Sequence, residues 1–224
     1  MIKTRIKIIC VLIACITGLL ATEVSSISVH SHSLSDEERD AFLQRVRWET
    51  IDTERRNTPI CCFDVASDGT IALATSEGVI YVYDKQGSFL FGCSFYPDGV
   101  FGIEFDEDEL VLHFLRGNTT LLIDDSGDCI DIQKADDPIQ HTLHIKEIHS
   151  QTFLEIGNTK YFLEREIDIG DSYSRFVITE NGKRMVHYDV TSNHIAKQVM
   201  LVATPICFFA FVIYGLAKKQ NKKA

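Results

Sequence analysis

Ile80-Tyr81-Val82-Tyr83-Asp84-Lys85-Gln86-Gly87 is followed forty residues later by Thr120-Leu121-Leu122-Ile123-Asp124-Asp125-Ser126-Gly127. Each copy is an apolar run of strand-forming residues ending in an Asp-x-x-Gly turn. Gly117-Asn118-Thr119 recurs at the same offset as Gly157-Asn158-Thr159, and Gly78 falls within one residue of the matching place in the first copy. Self-similarity at a period of about 40 residues marks a repeat architecture. Three copies are expected between residues 60 and 190, the third the most degraded.

Outward from that stretch, Cys62–Ala66, Thr70–Thr75, Val79–Asp84 and Ser88–Phe95 read as strands. Ser67-Asp68-Gly69, Ser76-Glu77-Gly78 and Lys85-Gln86-Gly87 read as the turns between them. Val, Ile, Tyr, Phe and Thr suit a pleated surface, and glycine supplies the positive φ of tight hairpin turns. Side chains alternate across a strand, so Ile80 and Val82 take one face and Tyr81 and Tyr83 the other. A sheet with one wet face would alternate with polar residues. Two apolar faces predict a sheet stacked between neighbours, and four strands in about 40 residues match one propeller blade.

Phe63–Phe95, with its Asp-Gly turn, Gly78-Val79-Ile80-Tyr81-Val82-Tyr83-Asp84 and Gly87, resembles a WD40-like or NHL-like β-propeller blade. The Gly-His and Trp-Asp marks of WD40 repeats are absent, since the single tryptophan, Trp48, precedes the repeats. The resemblance implies a mainly β fold: an incomplete propeller-like antiparallel meander of about three 40-residue repeats over residues 60–190. Propellers close with four to eight blades, so three leave two open apolar faces. One device to cover a face is an amphipathic helix over residues 35–50 within the 23–59 linker. It opens on the capping-box sequence Ser35-Asp36-Glu37-Glu38 and carries Phe42, Leu43, Val46 and Trp48. The other is a protein partner, or self-association through the open blade faces.

Both ends of the chain are greasy and flanked by cations. Ile8–Ala21 follows Lys3, Arg5 and Lys7, and Val199–Ala217 precedes Lys218, Lys219, Lys222 and Lys223. The second segment is nineteen residues without a charge, long enough to span a bilayer core of about 30 Å. The first, at 1–22, fits either an uncleaved anchor or a cleaved signal peptide. Basic flanks favour the cytoplasm. The sequence thus predicts N-terminal and C-terminal membrane helices, a juxtamembrane stretch at 191–198, a basic cytoplasmic tail at 218–224, and the bilayer as a partner. The repeats then lie outside the plasma membrane. Repeats followed by a span and a Lys-rich tail also resemble membrane proteins of Gram-positive bacteria, a family that implies an envelope location and brings no activity with it. Net charge is −10; without the seven cations of the two tips the middle carries −17. That acidity argues against a nucleic-acid partner.

Chemistry-bearing residues are sparse. His141, His144 and His149 lie close together, and a zinc reading needs neutral imidazoles that converge. Their spacing of three suits a helix face, but His144-Ile145-Lys146-Glu147-Ile148 alternates like a strand, and no neighbouring Cys or carboxylate completes a metal spacing. His30 and His32 read as solvent-facing. The acidic runs Asp106–Glu109 and Asp124–Asp128 fall where the repeat places turns. Gly-x-Ser-x-Gly and phosphate-binding glycine loops are missing. Cys10, Cys15 and Cys207 read as small hydrophobes. Cys61, Cys62, Cys93 and Cys129 are four thiols in the repeats. Cys61 and Cys62, adjacent on a strand, should point to opposite faces, and either one with Cys93 is the conceivable pairing. No catalytic, cofactor-binding or metal residue is assigned and no cofactor is expected. The sequence predicts a membrane-anchored interaction or sensing module. The alternatives are an envelope enzyme or metal-binding protein with its site among His141, His144 and the acidic turns, or a structural subunit of a complex.

Overall fold

The computed structural model describes residues 31–107, 109–165, 172–192 and 204. Three antiparallel meanders of four strands form its body. The first joins β3 (Ile60–Val65), β4 (Ile71–Thr75), β5 (Val79–Tyr83) and β6 (Phe89–Ser94). The second joins β7 (Phe101–Asp106), β8 (Glu109–Phe114), β9 (Thr119–Ile123) and β10 (Cys129–Ala135). The third joins β11 (Phe153–Ile156), β12 (Thr159–Glu164), β13 (Arg175–Glu180) and β14 (Lys183–Asp189). Two short strands from the preceding linker extend the outer edges: β1 (Ser31–Ser33) pairs with β10 and β2 (Glu49–Ile51) with β6.

The forty-residue echo has a physical basis in one turn. The Asp84 side chain accepts from the backbone N–H of Gln86 (2.9 Å) and Ser88 (2.8 Å). Asp124 does the same for Ser126 (3.0 Å) and Asp128 (2.9 Å). In each, the glycine sits at positive φ, Gly87 at 84° and Gly127 at 88°. These carboxylates are used to close hairpins. The third copy is not in the expected step. Gly117 turns the chain between the second and third strands of its meander, as Gly78 does, whereas Gly157 turns it between the first and second.

Stacking order differs from chain order, because the first sheet is the middle layer. Its Cys62, Ala72, Ala74, Ile80, Val82 and Cys93 share a core with Ile103, Leu112, Leu121 and Ile123 of the second sheet. Its Phe63, Val65, Ile71, Leu73, Tyr81 and Tyr83 share another with Tyr161, Leu163, Phe176, Ile178 and Tyr188 of the third. Residues alternate strictly between the two cores along β4 and β5, as the period of a strand requires.

Helix α1 (Asp36–Val46) has Ser35 as its N-cap in a capping box with Glu38. Instead of lying over an outer face, it pushes Phe42 and Val46 into the core between the first and second sheets, with Phe42 edge-on to Phe114 at 5.5 Å. The outer face of the second sheet is covered by α2 (Pro138–Ser150), in a stretch whose alternation predicts a strand. Asp137 accepts from the N–H of Ile139 (2.9 Å) and Gln140 (3.1 Å), and Pro138 occupies the first turn. That start signal outweighs the alternation, since proline at N1 removes only an N–H with no partner inside the helix. Ile145 and Ile148 are then buried against the sheet.

The predicted membrane helices are corrected. Among the described residues no helix is long and apolar enough to cross a membrane. The two helices have 11 and 13 residues, against the roughly 20 that a span needs. Most of the buried apolar residues of the described chain belong to the two β cores. The predicted segments at 1–22 and 199–217 lie, but for Thr204, outside the described residues, as do the basic tail and most of the juxtamembrane stretch. The architecture described is mainly β with two short helices.

Candidate metal centre

Glu104 lies on β7 and His113 on β8, in a register that pairs Gly102 with His113 and Glu104 with Val111. Both side chains therefore leave the same face, the one away from the first sheet. Thr120 on β9 stands directly opposite His113 and joins that face. Gly102 lets the helix approach: a Cβ there would meet Ile148 at 3.0 Å. Helix α2 brings His141 and His144 down onto the three strand residues.

Polar contacts tie the five together. Glu104 Oε1 lies 2.9 Å from His113 Nε2 and 2.7 Å from His144 Nε2. His113 Nδ1 is 3.1 Å from Thr120 Oγ1, which is 3.4 Å from His141 Nε2. His141 is wholly buried and its Nδ1 has no hydrogen-bond partner. The His113 ring meets His144 at 5.1 Å and His141 at 5.5 Å between centroids. His144 side-chain exposure is 16% and that of Glu104 29%, so the group is reached by solvent through these two residues while His113 and His141 are buried.

Electrostatics follow from this packing. Burial works to raise the Glu104 pKa, but the hydrogen bonds from His113 and His144 outweigh it and bring it down to about 2. The bond to Glu104 raises His144 against the opposing effect of burial. His141 has no acid to hold a proton, and burial, then the two neighbouring imidazoles, lower it to about 4. Behind the site, Asp64 of β3 accepts from the Phe105 N–H at 2.7 Å. Burial pushes the Asp64 carboxyl up, and the Glu104 charge adds to it.

Glu104, His113 and His144 offer ligand atoms that all lie within 4.8 Å of one another. Two imidazoles and one carboxylate form a donor set that takes zinc and, with positions left open, other divalent transition metals. The residues fit in a further respect. The Thr120 hydroxyl at Nδ1 of His113 orients the ring and leaves Nε2 toward the carboxylate, as outer-shell partners of metal-bound imidazoles do.

Of the histidines marked in the sequence, His141 and His144 belong to this cluster. His149 instead meets the Phe101 carbonyl, and His32 pairs with Asp136 at 2.8 Å in an exposed position; His30 lies outside the described residues. Among the described residues the acidic turns take no part. Glu104 and His113 escape sequence reasoning, although each is a lone ionisable residue in an apolar strand, Phe101-Gly-Ile-Glu-Phe and Leu110-Val-Leu-His-Phe. Folding the two runs into a hairpin about the Asp106–Glu109 turn puts them on one face. The missing carboxylate is thus supplied from forty residues upstream. No protein-family model and no curated protein matches the chain.

Proposed function

We propose that this chain is a divalent-metal-binding β-repeat module in which the ion, held by Glu104, His113 and His144, fastens α2 to the second sheet. The observation that supports it is the convergence of three ligand atoms from three separate elements within 4.8 Å. When bound, the ion supplies a positive charge between the helix and the sheet. Glu104, ionised down to low pH, is ready to receive it, and His113 is oriented by Thr120. A ligand that binds only the folded chain stabilises it by about 2.7 kcal/mol at a concentration 100 times its dissociation constant.

An interaction role is the second reading, favoured by the other side of the same helix. Ile139 is 73% exposed and Leu143 55%, one turn apart on the face turned from the sheet. Metal binding on the inner face would then set the position of an apolar outer face.

Calorimetric titration of the metal-stripped chain with zinc tests the principal reading. One ion per chain is expected. Glu104→Gln and His144→Ala should each weaken binding by more than the roughly 10–100-fold that loss of an outer-shell partner brings. Thr120→Val should weaken it within that range. Zinc affinity in the Glu104→Gln, His144→Ala double variant equal to that of the native chain would remove the site from consideration.

A further inference from the structure

We propose that Cys61 and Cys62 form a bidentate site for a trivalent arsenical, separate from the metal centre. Adjacent residues of a regular strand face opposite ways, and the sequence predicts that for this pair. The structure differs because β3 carries one residue more than β4 at this point. Ile60 lies opposite Thr75 and Cys62 opposite Ala74, so the ladder shifts across Cys61. Such a bulge leaves the extra residue unpaired and re-aims its side chain. Both thiols consequently join the core between the first and second sheets, with their sulfurs 3.8 Å apart.

That separation is near a chelate's. Two bonds to sulfur of about 2.3 Å at tetrahedral angles span about 3.8 Å, and the smaller angle at pyramidal trivalent arsenic needs the two sulfurs to draw only slightly closer. Cys61 Sγ also meets the Ala74 carbonyl at 3.4 Å, a contact the chelate gives up. Of the other two thiols of the repeats, Cys93 meets the Gly127 carbonyl at 3.4 Å and Cys129 the Asp131 carbonyl at 3.5 Å. Cys61 keeps 8% exposure beside the Ile60–Tyr173 bridge that lines the outer edge of β3, so the arsenical enters as that edge opens.

The pair is poorly suited to thiolate chemistry. The hydrogen bond with Cys62, and then burial, push the Cys61 thiol well above its ordinary range, and a protonated buried thiol is a weak nucleophile toward alkylators and disulfides. Condensation with a trivalent arsenical requires no net ionisation. Two As–S bonds form, the arsenic–oxygen bond breaks, and the two thiol protons leave with the oxygen as water. Arsenic stays trivalent, so no oxidant is consumed.

Phenylarsine oxide added to the folded full chain tests the site by intact mass spectrometry and peptide mapping. The expected product carries one phenylarsenic group, with loss of one water, on the peptide containing Cys61 and Cys62. Excess small dithiol should remove it. Cys61→Ala should abolish the adduct and Cys93→Ala should preserve it. Should Cys61→Ala fail to fold, iodoacetamide in urea after arsenical treatment of the native chain reads the same site: protection of both cysteines supports the chelate, and labelling of either overturns it. An unmodified native chain, an adduct that survives Cys61→Ala, or one lost in Cys93→Ala would equally overturn it.

Discussion

The middle sheet meets its two neighbours through different surfaces. Toward the second sheet it shows Cys62, Ala72, Ala74 and Cys93 beside Ile80 and Val82. Toward the third it shows Phe63, Leu73, Tyr81 and Tyr83. On the small-residue side the bulk comes from elsewhere: Phe95 packs edge-on to Phe101 at 5.0 Å and to Phe114 at 5.3 Å, and α1 adds Phe42. On the aromatic side the rings carry hydroxyls that must be satisfied when buried. Tyr81 donates to the Arg55 carbonyl at 2.6 Å, Tyr188 to that of Thr58 at 2.8 Å, and Tyr83 bonds the Glu54 carboxylate. The residues before β3 thus act as a strap across the first and third sheets. One interface is sealed by inserted rings, the other by tethered ones.

The largest effect expected from breaking this contrast is at Phe176, fully buried and 5.1 Å from the Phe63 ring. Phe176→Ala should cost about 3–5 kcal/mol in urea unfolding. Among the described residues the third sheet has no inserted helix to collapse into the space. Leu112→Ala on the other side, where α1 can shift, should fall toward the lower part of the roughly 2–5 kcal/mol range for such truncations. Equal losses would mean that the two interfaces respond alike.

Next comes overpacking. Ala74 is fully buried among the small residues facing the second sheet, so Ala74→Leu should destabilise by about 1–3 kcal/mol. A melting temperature unchanged by that substitution would show that the space between these sheets is loose.

Smallest is the response to acid, and it should have opposite signs at His187 and at His144. His187 of β14 stands edge-on to Tyr83 at 4.4 Å, with Nε2 buried and without a partner. Burial, then the Arg56 charge, lower its pKa, against weaker opposition from Glu54 and Asp84. The unfolded ring takes up a proton near pH 6.5, the folded one only at lower pH. Its contribution is therefore present above pH 6.5 and lost as pH falls through the folded value. His144 is raised by Glu104, so its contribution is present below pH 6.5 and lost as pH rises through its folded value. Between pH 7.5 and 5.5, hydrogen exchange corrected for intrinsic rate should loosen in β14 and tighten in α2 of a metal-free His141→Gln chain, in which the lowered pKa of buried His141 no longer opposes that of His144. Parallel changes in both elements would contradict this assignment.

Much of the β framework is legible in local sequence. The Asp-x-x-Gly turns, the alternation of β4 and β5 and the capping box at Ser35 are all short-range effects. Each is decided by a handful of neighbouring residues: a side chain closing its own turn, a period of two, a hydroxyl meeting an orphan N–H. The candidate site is legible only in part. His141 and His144 stand out by spacing, but α2 hides behind a strand-like alternation, and the Asp137-Pro138 start that favours a helix is two residues long. Glu104 and His113 each look like a stray polar residue in an apolar strand until the hairpin register brings them to one face.

By itself the chain determined that it would form repeated antiparallel hairpins with two greasy faces, because backbone turn chemistry and side-chain alternation act over two to eight residues. Only the tertiary structure decided which sheet became the middle layer, that α2 lies over the second sheet, and that Glu104 meets His144 from forty residues away. It also decided that Cys61 turns toward Cys62. These outcomes depend on how whole faces fit, since the volume of Ala72 and Ala74 against Phe114, or one added residue in β3, has no meaning until the partner surface is in place.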